Sequence, residues 1–196
     1  MCIRDSYTDV ELSSIREAAQ TLPVLRSANI AYVKWDMNRH LTDLGSAYLD
    51  RKNQNELSHR YVLGLYQVME TLTERFPQVL FESCSSGGGR FDAGMLYYMP
   101  QTWTSDNTDA VCRLKIQHGT SFLFPTVTMG AHVSACPNHQ VGRTTPLATR
   151  FAVAAAGNLG YELDLKKLLK EEKKEVREQI AEYKLSLIHI SEPTRP

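Results

Sequence analysis

The stretch that decides the fold is YVKWDMNRH, Tyr32 to His40, in which an apolar strand candidate runs directly into charged and amide side chains. Side chains alternate along a strand, so Lys34 and Asp36 point to the same side of it. A nearby cation favours the ionised form of a carboxylate, and an ionised carboxylate suits a nucleophile. Considered without the rest of the chain, Asp36 is more simply explained as a strand-end residue that caps the following loop.

Short apolar strands alternate with amphipathic helices along the chain. Strands are predicted at residues 30–35, 78–82, 99–105, 124–129 and 160–163, and helices at residues 11–27, 58–76, 108–119, 145–156 and 165–183. This alternation predicts parallel strands joined by helical crossovers. Polar residues recur just after the strands, as expected at the carboxyl edge of a parallel barrel or a doubly wound sheet. They are Asp36, Ser83 to Ser86, Asp106 and His132.

A second acidic motif is WTSDNTDA, Trp103 to Ala110, which begins where another short strand ends. Asp109, like Thr108, is well placed to cap the helix that follows. Asp106 precedes that cap, so a capping role explains it less well. Two carboxylates at the ends of different strands of one sheet can converge in one cleft. A separation of about 5–5.5 Å is typical of retaining glycoside hydrolysis, and about 6.5–9.5 Å of inverting hydrolysis.

Between the two acidic motifs lies ESCSSGGGRFD, Glu82 to Asp92, which contains three consecutive glycines. Consecutive glycines let the main chain approach a ligand closely or form a tight turn. The segment has neither the GxxxxGKS/T pattern nor the GxGxxG pattern, which argues against a nucleotide site. Its hydroxyl and amide groups suit a ligand with many hydroxyl groups, such as a sugar.

These motifs together resemble those of one family. YVKWDMNR, ESCSSGGGRFD, WTSDNTDA and GYELDL occur in the order and at the spacing typical of the family 36 glycoside hydrolases, the bacterial and fungal α-galactosidases. The resemblance covers residues 7–184. It implies an α/β fold, a partial (β/α)8 TIM barrel that runs from about the third helix to the eighth, with the first three strands missing. In the full protein it implies a β domain on each side of the barrel.

The resemblance implies a retaining hydrolase that releases terminal α-linked galactose from melibiose and raffinose-type oligosaccharides through a covalent galactosyl-enzyme. Asp36 is implied to be the nucleophile, and Asp106 the acid/base that protonates the leaving oxygen and then deprotonates water. The implied substrate-binding residues are Lys34, Asn38, Cys84 and Gly87. Trp35 and Trp103 are either walls of the galactose pocket or packing residues, and Trp103 is kept among the substrate-binding candidates.

Two other functions stay open on the sequence. A related enzyme on the same barrel, such as an α-N-acetylgalactosaminidase or a raffinose-forming glycosyltransferase, differs in pocket residues near C2 of the sugar, and some of those residues fall in the missing part. The other alternative is a non-catalytic, sugar-binding remnant of the barrel. The presence of both Asp36 and Asp106 argues against that remnant.

Charge and composition bear on the class of partner. The chain has 22 Lys and Arg residues against 22 Asp and Glu residues, so its charge gives no reason to expect binding to nucleic acid or to an anionic membrane. No apolar run is long enough to span a bilayer. The few, widely spaced cysteines form no disulfide framework, which favours a reducing compartment. We expect an α-galactoside oligosaccharide as partner and a homo-oligomeric full-length protein in the bacterial cytoplasm, with secretion left open because the N-terminus is missing.

Several histidines and cysteines invite a metal interpretation. They are His118, His132, His139, Cys112 and Cys136. Their spacing matches no zinc pattern, and the family resemblance implies neither a metal nor another cofactor. We therefore expect catalysis by side chains alone.

Both ends of the sequence differ in character from the rest. MCIRDS, residues 1–6, and LSLIHISEPTRP, residues 185–196, match translations of a transposase-type sequencing adapter. We predict that residues 7–184 are the C-terminal part of a (β/α)8 catalytic domain from a gene cut at both ends. The missing strands would leave open sheet edges and exposed helix faces, so we expect the isolated chain to be poorly folded and inactive.

Overall fold

The structure is a computed structural model that describes residues 20–36, 45–47, 49–85 and 89–191. The described residues form two compact units, the first containing those up to Pro100 and the second those from Gln101 onward. Several predictions lie outside the described residues: the terminal segment 1–6, the first part of the predicted helix 11–27, and the substrate-binding candidates Asn38 and Gly87.

The first unit packs helices against a pair of parallel strands. Its elements are helix α1 (residues 20–26), strand β1 (Tyr32–Asp36), a 3-10 helix (Arg51–Glu56), helix α2 (Leu57–Arg75), strand β2 (Leu80–Cys84) and helix α3 (Ala93–Tyr98). The register of β1 and β2 sets Lys34 beside Glu82 and Asp36 beside Cys84. The carboxyl ends of the two strands are therefore level with each other.

Helix α2 forms because its apolar residues recur at helical spacing and face one core. Its buried residues pack in the same cluster as Phe81 of β2; they include Leu65, Val68, Met69 and Leu72. Burying a side chain of this size contributes about 1.5–3 kcal/mol relative to leaving it in water. Pro77 follows shortly after the helix, at a position where the helical hydrogen-bond pattern has already ended.

The second unit has three parallel strands in chain order, each followed by a helix. Its elements are strand β3 (Gln101–Trp103), helix α4 (Ala110–Ser121), a 3-10 helix (Thr126–Thr128), strand β4 (Met129–Ser134), helix α5 (Leu147–Ala154), strand β5 (Asn158–Glu162) and helix α6 (Lys170–Ser191). β4 pairs with β3 on one side and with β5 on the other, in parallel in both cases. Strand residues Ala131 and Val133 share a buried cluster with helical residues such as Leu147 and Val176.

The parallel pairs and the alternation of strands with helices confirm the predicted α/β class. The prediction of a strand at residues 124–129 is wrong, because Thr126–Thr128 form a 3-10 helix and β4 is Met129–Ser134. Of the apolar residues behind that prediction, Val127 is 67% exposed, and Met129 is buried as the first residue of β4. The true strand, MGAHVS, consists largely of small residues that give a weak periodic signal. His132 consequently lies within β4 and not after it.

Helix α3 has no counterpart among the predicted elements. Its first turn is capped by Asp92, whose carboxylate accepts a hydrogen bond of 2.8 Å from the Met95 amide. An aspartate directly before AGMLYY is a helix-start signal that the sequence does contain. In the described parts of the chain, no helix is long and apolar enough to cross a membrane.

Candidate active site

In the first unit, the predicted site residues lie at or near the carboxyl ends of β1 and β2. Asp36 ends β1 and is exposed, and it lies beside Cys84, the buried last residue of β2. Because alternate residues of a strand share a face, Lys34 and Asp36 project from the same side of β1. Three of the predicted site residues are thus brought together by the register of two strands.

Glu82 is a buried carboxylate that the sequence prediction did not include in the site. Its side chain is 1% exposed, it accepts a hydrogen bond from the Tyr32 hydroxyl, and the Lys34 ammonium lies 3.7 Å from its Oε1 atom. A buried carboxylate is strongly destabilising unless a cation and hydrogen-bond donors accompany it. Lys34, which the sequence analysis paired only with Asp36, therefore also pairs with the buried carboxylate of Glu82.

Arg90 ties the carboxyl ends of the two strands together. Its Nη2 group donates to the carbonyl of Cys84 at 2.7 Å and to the carbonyl of Trp35 at 3.1 Å. The Trp35 side chain packs against the buried cluster of the first unit, in the packing role that the sequence left open for it. One guanidinium thus holds the main chain that precedes Asp36 level with the end of β2.

In the second unit, Asp106 follows β3 and is held by the indole of Trp103. The Trp103 Nε1 group donates a hydrogen bond of 2.9 Å to Oδ1 of Asp106. Asp106 is exposed, whereas Trp103 is only 3% exposed. The indole therefore couples the orientation of an exposed carboxylate to the rigid interior of the unit.

The Trp103 ring packs against two side chains, the imidazole of His132 and the guanidinium of Arg113. The imidazole of His132 lies 4.5 Å from its ring centroid, and Cζ of Arg113 lies 5.0 Å from its ring. Gly160 of β5 makes room for this arrangement, because a Cβ atom there would lie 2.5 Å from the His132 ring. Nδ1 of His132 lies 3.3 Å from the Glu162 carboxylate.

Arg113 anchors the main chain around this stack. Its Nη1 group donates to the Ser105 carbonyl at 2.9 Å, and its Nη2 group donates to the Gly130 carbonyl at 2.5 Å. Burial lowers the pKa of Arg113 to about 10, and the negative charge of Glu162 opposes that shift. The guanidinium therefore stays charged at neutral pH, and both of its hydrogen bonds to carbonyl groups are charge-assisted.

Asp109 takes the capping role that the sequence predicted for it. Its carboxylate accepts a hydrogen bond of 3.0 Å from the Cys112 amide at the start of α4, and it also forms an ion pair with Arg143. Asp106 takes no part in that cap. The two aspartates of WTSDNTDA thus have separate roles, as their positions relative to the helix indicated.

The predicted site residues divide between the two units. Lys34, Asp36 and Cys84 lie in the first, and Trp103 and Asp106 lie in the second. Sequence reasoning missed the parts played by Glu82 and Arg113. Glu82 had a usable signal, since it is the one charged residue in the strand QVLFESC. Arg113 had none, because an arginine in a helix is ordinarily a solvated residue.

Within the described ranges, no group of three or more His, Cys, Asp and Glu side chains is arranged to hold a metal ion. The groups available for chemistry at these strand ends are carboxylates, an ammonium, a thiol and an indole. An exposed carboxylate beside a fixed ammonium can act as a nucleophile, and a carboxyl group held by an indole can transfer a proton.

Comparison with known protein families identifies the family of this chain. Residues 7–190 match the family described as Melibiase. The chain belongs to the melibiase family. The matched range includes both acidic motifs and the glycine segment between them, and it therefore contains all the predicted site residues.

The melibiase chain is similar to several bacterial α-galactosidases. The α-galactosidase AgaA of Geobacillus stearothermophilus is 66% identical over 161 residues, which are 82% of this chain and 22% of AgaA. Alpha-galactosidase 1 of Pediococcus pentosaceus is 58% identical over 161 residues, with coverage of 82% and 22%. The melibiase chain therefore spans about a fifth of the length of these relatives.

Solved structures of AgaA, a GH36 α-galactosidase, match the fold. AgaA in complex with raffinose has a TM-score of 0.88 and 60% identity, over 91% of this chain and 25% of that chain, and it carries an aspartate-to-asparagine substitution. A second AgaA structure, in complex with stachyose, matches with a TM-score of 0.87 and carries an aspartate-to-alanine substitution. These matches confirm the predicted family and the partial (β/α)8 barrel.

The hydrogen bond from the Tyr32 hydroxyl to the buried Glu82 carboxylate gives a prediction about the first unit. The test uses a chimeric enzyme, AgaA in which residues 7–184 of this chain replace the matching segment. We expect Tyr32→Phe to speed amide hydrogen exchange in β1 and β2 about tenfold, because a hydrogen bond to a charged group contributes about 1.5–3 kcal/mol.

Tyr97→Phe is the matched control, because Tyr97 is 81% exposed and the change removes the same hydroxyl. Its exchange rates in β1 and β2 should equal those of the unchanged chimera. Equal exchange rates in both variants would mean that the Tyr32 hydroxyl does not stabilise the buried carboxylate.

Proposed function

We propose that the melibiase chain supplies both catalytic carboxylates of a retaining α-galactosidase. The full protein would release terminal α-linked galactose from melibiose and raffinose-type oligosaccharides. AgaA binds raffinose and stachyose in its solved structures, and both sugars carry galactose of this kind. The partial barrel would place the reaction at the carboxyl ends of its strands, where enzymes of this fold have their active sites.

The single observation that carries the proposal is the separation of the two aspartates along the chain. In AgaA, the aspartate replaced in the stachyose complex and the aspartate replaced in the raffinose complex are the same number of residues apart as Asp36 and Asp106. Replacing a residue that takes part in bond cleavage allows an intact oligosaccharide to stay bound. The equal spacing supports Asp36 and Asp106 as the counterparts of those two residues.

In the first step, Asp36 attacks the anomeric carbon of galactose and forms a galactosyl ester with inverted configuration. Asp106, in its protonated form, gives its proton to the departing glycosidic oxygen, so the leaving sugar departs as a neutral alcohol. The ammonium of Lys34 pairs with the buried carboxylate of Glu82 and projects from the same side of β1 as the attacking carboxylate.

In the second step, the ionised Asp106 takes a proton from water, and the resulting hydroxide attacks the same anomeric carbon. The ester bond to Asp36 breaks, and galactose leaves with its original α configuration because the centre has been inverted twice. Asp106 ends the cycle protonated and Asp36 ionised, so the proton balance closes. The hydrogen bond from Trp103 holds Asp106 in one orientation for both proton transfers.

The remaining site predictions concern the galactose pocket. We propose that Lys34 and Cys84, which flank Asp36 on the same strand pair, contact galactose hydroxyls. Asn38 and Gly87 are proposed for the same role on the strength of their motifs. For Trp103, which packs against His132 and Arg113, we also propose a contact with galactose.

The chain alone should be inactive, because it spans about a fifth of the length of its relatives and a galactose pocket needs groups from the rest of the barrel. We expect the 196-residue chain to show no hydrolysis of an aryl α-galactoside under conditions where the chimeric enzyme is active. A soluble monomer of the chain with measurable turnover would disprove this expectation.

Removing the proposed nucleophile should abolish turnover. In the chimeric enzyme, Asp36→Ala should lower kcat for raffinose by about 10⁴-fold or more, because no covalent intermediate can form. Azide that occupies the vacated space would attack from the side of Asp36, so its product should be β-galactosyl azide, identified by NMR.

Asp50→Ala is the control for the nucleophile experiment, since Asp50 is an exposed aspartate of the same unit. It should leave kcat unchanged. Full activity of the Asp36→Ala variant would refute the catalytic role of Asp36.

Removing the proposed acid/base should have an effect that depends on the leaving group. Asp106→Ala should lower kcat/KM for raffinose by about 10²–10⁴-fold, the range that general acid catalysis contributes. The loss of kcat/KM should be much smaller for 2,4-dinitrophenyl α-galactoside, whose leaving group needs no proton. Azide should then attack the covalent intermediate and give α-galactosyl azide.

The azide products distinguish the two roles. β-Galactosyl azide from the Asp106→Ala variant would reverse the assignment of nucleophile and acid/base. Equal losses of kcat/KM on raffinose and on the dinitrophenyl substrate would exclude proton transfer from Asp106 to the leaving group.

A further inference from the structure

The segment that carries Asp106 has no regular secondary structure. Residues 104–109 lie between the end of β3 and the start of α4, outside both the strand pairing and the helical hydrogen bonds. The main-chain groups of such a segment need other partners, and those partners determine its conformation. The position of Asp106 therefore depends on residues elsewhere in the second unit.

Gln140, in the connection between β4 and α5, makes two hydrogen bonds to this segment. Its Nε2 group donates to the carbonyl of Asp106 at 2.6 Å, and its Oε1 atom accepts from the amide of Thr108 at 3.0 Å. One side-chain amide thus holds the main chain on both sides of Asn107. Both contacts are to main-chain atoms, so they fix the backbone of Asp106 and leave its carboxylate exposed.

The main chain of Gln140 is held in turn by Asn138, which is 5% exposed. Oδ1 of Asn138 accepts from the amides of Gln140 at 3.0 Å and of Val141 at 3.1 Å. Nδ2 of Asn138 donates to the Thr108 hydroxyl at 3.1 Å. The side chain of Gln140 therefore projects from a turn that is itself bonded to the segment it contacts.

Two further contacts reinforce the connection. Arg143 forms an ion pair with Asp109, and the Ser134 hydroxyl donates to the Thr108 carbonyl at 3.1 Å. Gln140 differs from these because it alone, among the described contacts between the two connections, reaches the Asp106 residue itself. Loss of its amide would remove the hydrogen bonds to the Asp106 carbonyl and the Thr108 amide. The helix cap and the contacts of Ser134 and Asn138 with Thr108 would remain.

We propose that Gln140 is a positioning residue for the acid/base carboxylate, an inference that rests on the proposed role of Asp106. Trp103 fixes the direction of the Asp106 carboxyl group, and Gln140 fixes the backbone from which that group projects. Proton transfer to a leaving oxygen requires placement to within about 0.5 Å. Gln140 thus acts on catalysis without touching the substrate.

The test is Gln140→Ala in the chimeric enzyme. The variant should lose about tenfold or more of kcat/KM on raffinose, because a misplacement of about 1 Å can cost about a hundredfold. The loss of kcat/KM on 2,4-dinitrophenyl α-galactoside should be less than about threefold, because kcat/KM reports formation of the covalent intermediate and that leaving group departs without the proton from Asp106. A merely destabilised loop would lower both rates alike.

A double-mutant cycle with Asp106→Ala shows whether Gln140 acts through Asp106. With 4-nitrophenyl α-galactoside as substrate, Gln140→Ala should cause no further loss in the Asp106→Ala background. A multiplicative loss in the double variant would overturn the proposal. Equal losses of the single variant on raffinose and the dinitrophenyl substrate, or no loss on either, would overturn it as well.

Two more variants complete the experiment. Gln140→Glu keeps an acceptor for the Thr108 amide but sets an acceptor against the Asp106 carbonyl, so it should show the same dependence on the leaving group even if the alanine variant does not fold. His139→Ala changes an exposed neighbour in the same turn and should alter neither rate.

If Asp106→Ala shows no dependence on the leaving group, the acid/base role of Asp106 fails together with this proposal. If only the Gln140 variants lack that dependence, this proposal fails alone.

Discussion

The interaction on which the rest of the structure depends is the hydrogen bonding of main-chain carbonyl groups where the parallel strands end. Arg90, Arg113 and Arg150 each donate to such carbonyls, which belong to Trp35, Cys84, Ser105 and Ser134. A buried carbonyl without a partner costs about 1–3 kcal/mol, and one guanidinium offers five donors in a fixed plane. The arginines therefore provide hydrogen-bond partners for main-chain carbonyls near the strand ends, and this restrains the backbone from which the following side chains project.

The carboxylates near these strand ends fall into two groups by burial. Glu82 and Asp109 are buried and each has a cationic partner, Lys34 for one and Arg143 for the other. Asp36 and Asp106 are exposed. A buried charge stabilises a fold only while its partners stay in place, so a buried pair is unsuited to a reaction in which the charge changes. Asp36 and Asp106 thus differ from the buried carboxylates, whose ion pairs link neighbouring elements.

The fold was largely predictable because its dominant signals are local. The helical spacing in α2 and the apolar strand before Asp36 predicted an α/β arrangement, which the parallel pairs confirm. The failures came where local signals mislead. Residues 125–127 lie on the surface, whereas β4 begins at the buried Met129 and consists largely of small residues whose burial comes from neighbouring strands and helices. The prediction of the site came from its motifs, which position Asp36 and Asp106 at or after strand ends regardless of what holds them there.

The sequence by itself determined the alternation of strands with helices, the placement of Asp36 and Asp106 at or after strand ends, and the melibiase family, because these depend on side-chain pattern and spacing along the chain. The tertiary structure alone decided which groups orient the candidate catalytic residues. Glu82 reaches Lys34 through strand register, Trp103 reaches Asp106 from the core, and Gln140 reaches it from another connection. The physical reason is distance along the chain. A hydrogen bond between residues 34 positions apart leaves no periodic trace in the sequence and exists only once the strands are paired.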